Sequence, residues 1–181
     1  MAQISHSSRT GIFAFRTRTG SPRILSPDAS TAASTALIQA GQVVEYDGGA
    51  SSAAHRIVRA STVAGHPVLA ANICGIAAAS DTSDGSTSGL ADGKRRISVW
   101  AADGNTEFLF PSKISAVAST LVGTALALGW DSTLNFHYLT ANSTAGDRRV
   151  WVTEVQNPGD SNGYLWGRFT SSAVSPAVAI L

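Results

Sequence analysis

Residues 149–170 read RVWVTEVQNPGDSNGYLWGRFT, and this stretch decides the fold class of the chain. β-branched and aromatic residues dominate its two ends, residues 149–156 and 164–170, which is typical of β-strands. The segment between them, NPGDSNG, consists of the residue types that form turns. The stretch therefore predicts two strands joined by a turn.

Similar patterns occur in the chain before this stretch. Residues 97–101 and 108–110 flank a turn at residues 103–105, which predicts a hairpin. Residues 68–79 are nearly all apolar and carry no charge, so they predict a strand covered on both faces, with an Ala-rich helix as the alternative. Roughly nine short strands result, and their spacing predicts an all-β domain at residues 36–172, either a β-barrel or a β-sandwich.

Residues 1–35 differ from this pattern and predict an extended, basic N-terminal arm. Pro22 and Pro27 would interrupt a helix in this segment. Residues 1–27 contain four arginines and no acidic residue, so they carry +4, although the whole chain carries only +1. At the other end of the chain, residues 173–181 predict an apolar C-terminal tail.

The composition limits the classes of partner. Charged residues make up 14% of the chain, against about 25% in a typical soluble domain, and such weak repulsion between copies favours association. We expect no direct nucleic-acid partner, because the chain lacks a concentrated row of Lys and Arg. We also expect no membrane span and no intrachain disulfide, since no apolar run approaches roughly 20 residues and Cys74 is the only cysteine.

One alternative function is that of a small trypsin-like serine hydrolase. Residues 159–163, GDSNG, fit the G-x-S-x-G pattern, and residues 52–55, SAAH, resemble the sequence around the general base of trypsin-like proteases. In this interpretation Ser161 is the nucleophile and His55 is the base. However, residues 164–170 predict a strand where a nucleophile elbow requires a helix, and Ser161 is not followed by glycine. We therefore favour a hairpin turn and no catalytic residues.

Neither a cofactor nor a metal site is predicted. The four histidines lie far apart in the sequence, with His137 interpreted as a strand-surface residue, and the acidic residues within residues 81–93 lack the ligand order of an EF-hand. For the four tryptophans, core or subunit-interface positions are favoured over sugar stacking. A second alternative stays open, a tail or receptor-binding β-module whose ligand surface includes Trp130 and residues 81–93.

Short motifs in both halves of the chain resemble one known family. Residues 40–44 (AGQVV) and 72–78 (NICGIAA) are similar to motifs of the small capsid decoration, or cement, proteins of tailed bacteriophages. Residues 152–155 (VTEV) and 163–169 (GYLWGRF) resemble the closing hairpin of such proteins. The resemblance implies a β-barrel or β-sandwich that trimerises on the outer capsid surface, an arm that crosses neighbouring major capsid subunits, and no catalytic residues.

We therefore predict a structural virion protein, not an enzyme, that stabilises a phage capsid by binding across neighbouring major capsid subunits. Its expected location is the outer capsid surface, after synthesis in the host cytoplasm. Its expected partners are the major capsid protein and copies of itself in a homotrimer. The predicted contacts lie in the arm: the basic residues are Arg9, Arg16, Arg18 and Arg23, and the apolar anchors are Phe13, Phe15, Ile24 and Leu25.

Overall fold

The computed structural model describes residues 11–12, 15–29, 38–46, 56–60, 72–80, 95–141 and 147–174. About half of these residues lie in β-strands. None of them lies in an α-helix, and one short 3-10 turn spans Ser119–Leu121. The prediction of an all-β chain is confirmed.

Thirteen strands are present in the described part of the chain, and ten of them contain at least three residues, close to the nine predicted. In chain order they are β1 Phe15–Thr17, β2 Ile24–Leu25, β3 Asp28–Ala29, β4 Val43–Tyr46, β5 Arg56–Arg59, β6 Ile73–Ala77, β7 Arg95–Arg96, β8 Val99–Ala101, β9 Thr106–Pro111, β10 Ala125–Asp131, β11 Phe136–Thr140, β12 Arg148–Gln156 and β13 Tyr164–Phe169.

The strands form two sheets. The six-stranded sheet has the order β1-β9-β13-β12-β10-β11, and all of its pairs are antiparallel. The seven-stranded sheet has the order β2-β8-β6-β4-β5-β3-β7, with one parallel pair, β3 and β5. The end of β9 approaches β11 through an isolated bridge between Ser112 and Leu139, and the Lys113 N–H donates to the carbonyl of Leu139 at 2.9 Å. The sheets do not close into a barrel, so of the two predicted architectures the sandwich fits.

The hairpin predicted from residues 149–170 is present as β12 and β13. Its register places Val155 opposite Leu165 and Gln156 opposite Tyr164. The connecting loop contains two asparagines and one glycine with positive φ, at 52°, 53° and 99°. Asn and Gly tolerate this left-handed conformation better than other residues, which explains the turn chemistry of the sequence.

The hairpin predicted for residues 97–110 is wrong. β8 pairs with β2 and β6 in the seven-stranded sheet, whereas β9 pairs with β1 and β13 in the six-stranded sheet. Asp103 Oδ1 accepts hydrogen bonds from the N–H groups of Asn105 and Thr106, at 3.1 and 2.8 Å. This turn therefore passes the chain from one sheet to the other instead of pairing its two flanking strands.

The strand predicted within residues 68–79 is confirmed for β6, whose five residues are all buried. The Cys74 thiol donates a hydrogen bond to the carbonyl of Val44 at 3.4 Å, and burial raises the pKa of this thiol. A Cβ atom at Gly75 would overlap the carbonyl oxygen of Trp100 in β8. Glycine is therefore required for the close pairing of β6 with β8.

Side chains from both sheets form one buried core. Phe108, Phe110 and Phe169 of the six-stranded sheet pack edge to face, with ring centroids 5.6 to 6.2 Å apart. Val44 and Ala101 of the seven-stranded sheet belong to the same cluster. This shared core holds the two sheets together, because burial of apolar surface is the main favourable contribution to folding.

His137 links the two sheets, and its interpretation as a strand-surface residue is wrong. The side chain is completely buried, and its Nδ1 accepts a hydrogen bond from the Val43 N–H of the opposite sheet at 3.1 Å. The ring packs against Trp130 at 4.7 Å, and the Arg59 guanidinium lies 4.3 Å from the same indole. Burial is the main reason that the pKa of His137 is lowered to about 3. The positive charge of Arg59 also lowers this pKa, whereas a hydrogen bond with the Ala60 backbone raises it.

The described parts of the predicted arm and tail pack on the sandwich. β1 lies at an edge of the six-stranded sheet, while β2 and β3 belong to the seven-stranded sheet. Ile12 is completely buried, and its N–H donates to the carbonyl of Gly41 at 3.0 Å. Ala173 and Val174 are also buried, and Ala173 accepts a hydrogen bond from Ile73. Residues 1–10, 30–35 and 175–181 lie outside the described residues.

Candidate functional site

The structure places the predicted contact residues of the arm on both sheets. Arg9 and Phe13 lie outside the described residues. The other six lie in β1, in β2 or in the segments beside these two strands, which belong to different sheets. They are Phe15, Arg16, Arg18, Arg23, Ile24 and Leu25.

Arg16 is paired within the chain. Its Nε lies 2.8 Å from Glu107 Oε2, its Nη1 lies 2.7 Å from Glu154 Oε2, and its guanidinium lies 4.4 Å from the centre of the Trp166 ring. Partial burial alone would lower the pKa of Arg16, but the hydrogen bonds to Glu107 and Glu154 outweigh it and raise the pKa. The arginine therefore fastens β1 to β9 and β12, and its charge is balanced inside the subunit.

The apolar anchors have different surroundings. The Phe15 ring lies 4.7 Å from the Trp100 ring, and both Phe15 and Leu25 pack against the core while staying partly exposed. Ile24, in contrast, is 59% exposed at the edge of the seven-stranded sheet. Of these three residues, Ile24 offers the largest fraction of its side chain to a partner.

Arg18 and Arg23 lie at the two ends of the segment that connects β1 to β2. Arg18 is exposed, and its backbone N–H donates to the carbonyl of Asn105 at 3.0 Å. Arg23 is half-buried, and its carbonyl accepts a hydrogen bond from Ala101. Arg23 also lines an open groove that adjoins the turn at Asp103.

The outer face of the six-stranded sheet is the strongest candidate site. Alternation along β13 turns its buried residues toward the core and leaves Tyr164, Trp166 and Arg168 partly exposed on the other side. In β12 an irregularity between Val152 and Glu154 interrupts the alternation, so that Trp151 pairs with Arg168 and Glu154 pairs with Trp166. We call the resulting surface the Trp–Arg face, and it consists of Trp151, Glu154, Tyr164, Trp166 and Arg168.

Trp151 is the most exposed tryptophan of this face, with 41% of its surface accessible. It is also one of four large apolar residues that the described part of the chain leaves exposed. The sequence predicts core or subunit-interface positions for the tryptophans, and Trp151 does not lie in the core. The β-bulge that turns Trp151 and Glu154 to the same side has no clear signal in the sequence, because a regular strand alternates with a period of two.

An open groove with a volume of about 520 Å³ adjoins the Trp–Arg face. Trp151 and Arg168 form one wall, and the turn at Asp103 and the chain at Arg23 contribute others. Further lining comes from the residues after β13, up to Val174. The groove therefore lies where the end of the β12–β13 hairpin meets the connection between the two sheets.

Ser161, the candidate nucleophile, lies exposed in the loop between β12 and β13. His55, its candidate base, lies outside the described residues. The N–H groups of Gly159 and Asn162 on either side of Ser161 donate to the carbonyls of Val117 and Ile114, at 2.7 and 2.9 Å. These two amides are occupied and do not point at a substrate oxyanion, as the N–H groups of an oxyanion hole must.

The ligand surface of the receptor-binding alternative is only partly described. Residues 81–93 lie outside the described residues, and Trp130 is only 6% exposed between His137 and Arg59. Trp130 is thus a core residue and offers little surface to a ligand.

Two other kinds of feature, a cluster of metal-ligating side chains and a membrane-spanning helix, are absent from the described ranges. Within them, no three or more His, Cys, Asp or Glu side chains are close enough together to hold a metal ion. Within the same ranges, no helix has both the length and the apolar character needed to cross a membrane. No protein-family model matches the chain, and no curated protein matches it.

Proposed function

We propose that this protein is a structural subunit that decorates the outer surface of a phage capsid and binds across neighbouring major capsid subunits as a homotrimer. The observation that carries the proposal is the Trp–Arg face, with its exposed Trp151. The resemblance of residues 40–44, 72–78, 152–155 and 163–169 to capsid decoration proteins supplies the identity of the partner. The proposed role is mechanical and involves no catalytic step.

The composition of the Trp–Arg face favours binding to another protein. Trp, Tyr and Arg are the residues that most often dominate the binding energy of protein interfaces. Here they stand on paired strands of one sheet, so their backbone positions are already ordered before binding. Preorganisation of this kind reduces the entropy lost on association.

The N-terminal segment supports the same proposal in a narrower form than the sequence predicted. The chain is anchored at Ile12, which is buried and hydrogen-bonded to Gly41. Arg16 is paired with two carboxylates, so its charge is not available to a partner. We therefore propose residues 1–10, together with the exposed Arg18 and Ile24, as the part of the arm that contacts the capsid.

Binding to capsids that lack this protein tests the proposal. We expect wild-type protein to sediment with such capsids at a high and fixed copy number, and Trp151→Ala to bind about tenfold more weakly because a buried interface tryptophan contributes at least about 1.4 kcal/mol. Leu134→Ala is the matched control: Leu134 is 51% exposed, but it lies in the turn between β10 and β11, away from the Trp–Arg face. Equal binding of wild type and Trp151→Ala would contradict the role of this face.

Further measurements test the role of the arm in capsid binding, the proposed trimer and the location on the virion. Deletion of residues 2–10 is expected to weaken capsid binding and to leave the native mass of the proposed trimer unchanged. Unchanged capsid binding by the deletion variant would exclude residues 2–10 as a contact with the capsid. A few copies on the tail, instead of many on the head, would favour the receptor-binding alternative.

A further inference from the structure

The groove beside the Trp–Arg face has the size of a binding site. Its volume of about 520 Å³ lies within the range of about 300 to 1,000 Å³ that is usual for ligand pockets. It is open to solvent along one side, which suits a side chain that projects from a partner surface better than an enclosed small molecule. Its lining comes from both strands of the β12–β13 hairpin and from the chain between the two sheets.

Arg168 is available for binding. Within the described part of the chain, its side chain makes no hydrogen bond and no ion pair. Its cross-strand partner is Trp151, which is 41% exposed. Directly paired strand residues have Cβ atoms about 4.5 to 5.5 Å apart, so one ligand group contacts both side chains at once.

The charges in the groove favour an anionic group. Among the described lining residues, Arg23 and Arg168 are basic and Asp103 is acidic. The Asp103 carboxylate already accepts hydrogen bonds from the N–H groups of Asn105 and Thr106. Two arginines against one carboxylate give the described lining residues a formal net charge of +1.

We infer that this groove binds a carboxylate side chain, Asp or Glu, from the partner protein. The Arg168 guanidinium pairs with the carboxylate through two parallel N–H···O bonds, and Trp151 covers the aliphatic part of the same side chain. This inference deepens the proposed function and rests on it for the identity of the partner, the major capsid protein. It adds the chemistry that the partner must present at this position.

A protein carboxylate fits the groove better than a nucleic acid. Binding along a phosphate backbone requires a row of positive charges, whereas the described lining of the groove holds two arginines and one aspartate. A carboxylate needs only one arginine, because the planar guanidinium matches its two oxygens.

Titration with small peptides tests the groove without any capsid. The probes are acetylated and amidated Gly-Glu-Gly and its Gly-Gln-Gly counterpart, and the readouts are the NMR signals of the Trp151 indole N–H and the Arg168 Nε–H. We expect both signals to shift with the Glu peptide, less with the Gln peptide, and less at high salt because screening weakens exposed ion pairs. Arg168→Gln should abolish the Trp151 shift, whereas Arg148→Gln, an exposed arginine outside the groove, should preserve it.

Several outcomes would overturn the inference. One is the absence of any shift with the Glu peptide, and another is an equal shift with the Gln peptide. Equal shifts with inorganic phosphate would identify a general anion site instead. A shift of the Trp151 signal with maltose but not with the Glu peptide would identify a sugar site.

Capsid binding separates this inference from the proposed function. If both hold, Arg168→Glu binds capsids about tenfold more weakly and Arg148→Glu binds like wild type, since only the first change places a repelling charge in the groove. Wild-type binding that is insensitive to Arg168→Glu would overturn the inference and leave the proposed function intact. Failure of wild-type protein to bind capsids would overturn the proposed function, while the peptide titration would still decide the chemistry of the groove.

Discussion

At the scale of single residues, His137 illustrates how burial reverses an expectation from alternation. Phe136, His137 and Tyr138 do alternate between the two faces of β11, as the sequence suggests. However, the histidine faces the second sheet and is buried, while the two aromatic residues stay partly exposed. Alternation predicts only that neighbouring residues lie on opposite faces, and the second sheet determines which face is covered.

His137 leads to a prediction about acid stability. Its pKa in the folded chain is about 3, below the ordinary 6.5, so between these two pH values the unfolded chain binds a proton that the folded chain does not. Above pH 6.5 the neutral, buried His137 makes its full contribution to the free energy of unfolding. As the pH falls from 6.5 toward 3, that free energy decreases by about 1.4 kcal/mol per pH unit. His137→Gln should lack this part of the slope in urea unfolding measured between pH 6 and pH 4.5.

The control for this experiment is a histidine of the N-terminal segment. His6→Gln is expected to retain the wild-type pH dependence, because the sequence places His6 in the predicted N-terminal arm and not in the sandwich. A His137→Gln variant with the full wild-type slope would show that other groups cause the acid sensitivity.

At the scale of elements, β1 shows how a segment with the composition of an arm becomes an edge strand. Its three residues pair with β9, and Arg16 stands directly opposite Glu107. Opposite charges in directly paired positions stabilise a sheet, and the Glu107 side chain is only 9% exposed. The acidic partners lie 91 and 138 residues away in sequence, so no local pattern could have identified them.

Removal of the Arg16 side chain should loosen this edge. We expect Arg16→Met to lower the free energy of unfolding by about 1 kcal/mol at low salt, and by less at high salt, because half-exposed ion pairs are weak and screened. A double-mutant cycle with Glu107→Gln measures the pair directly by urea unfolding. Arg18→Met is the matched control and should change the stability by less than about 0.5 kcal/mol, since only the backbone of Arg18 makes a described hydrogen bond. Equal effects of the two substitutions would contradict the Arg16 network.

At the scale of the whole molecule, the described residues of the predicted arm from Ile12 onward pack as part of the sandwich. Ile12 is completely buried, and the strands that follow it belong to both sheets. The predicted boundary at residue 35 followed from composition, because a segment rich in arginine and interrupted by prolines lacks the pattern of a regular strand. Short edge strands need no such pattern, since they pair with a sheet that other residues have already formed.

Two variants test where the N-terminal arm ends and the sandwich begins. Deletion of residues 2–10 should leave the thermal unfolding midpoint unchanged within a few degrees, because the deletion keeps Ile12 and all described strands. Ile12→Ala should lower the free energy of unfolding by about 3 kcal/mol, the usual cost of removing a large buried aliphatic side chain. Comparable losses in both variants would place the boundary before residue 10.

The all-β class, the β12–β13 hairpin and the buried β6 strand follow from the sequence alone. Each depends on local information: alternation, turn-forming residues or an uncharged apolar run. The assignment of β8 and β9 to different sheets, the burial of His137 and the assembly of the Trp–Arg face depend on tertiary structure. The physical reason is that hydrogen bonding between strands and packing between sheets join residues far apart in the chain, and a bulge in β12 then selects which side chains face outward.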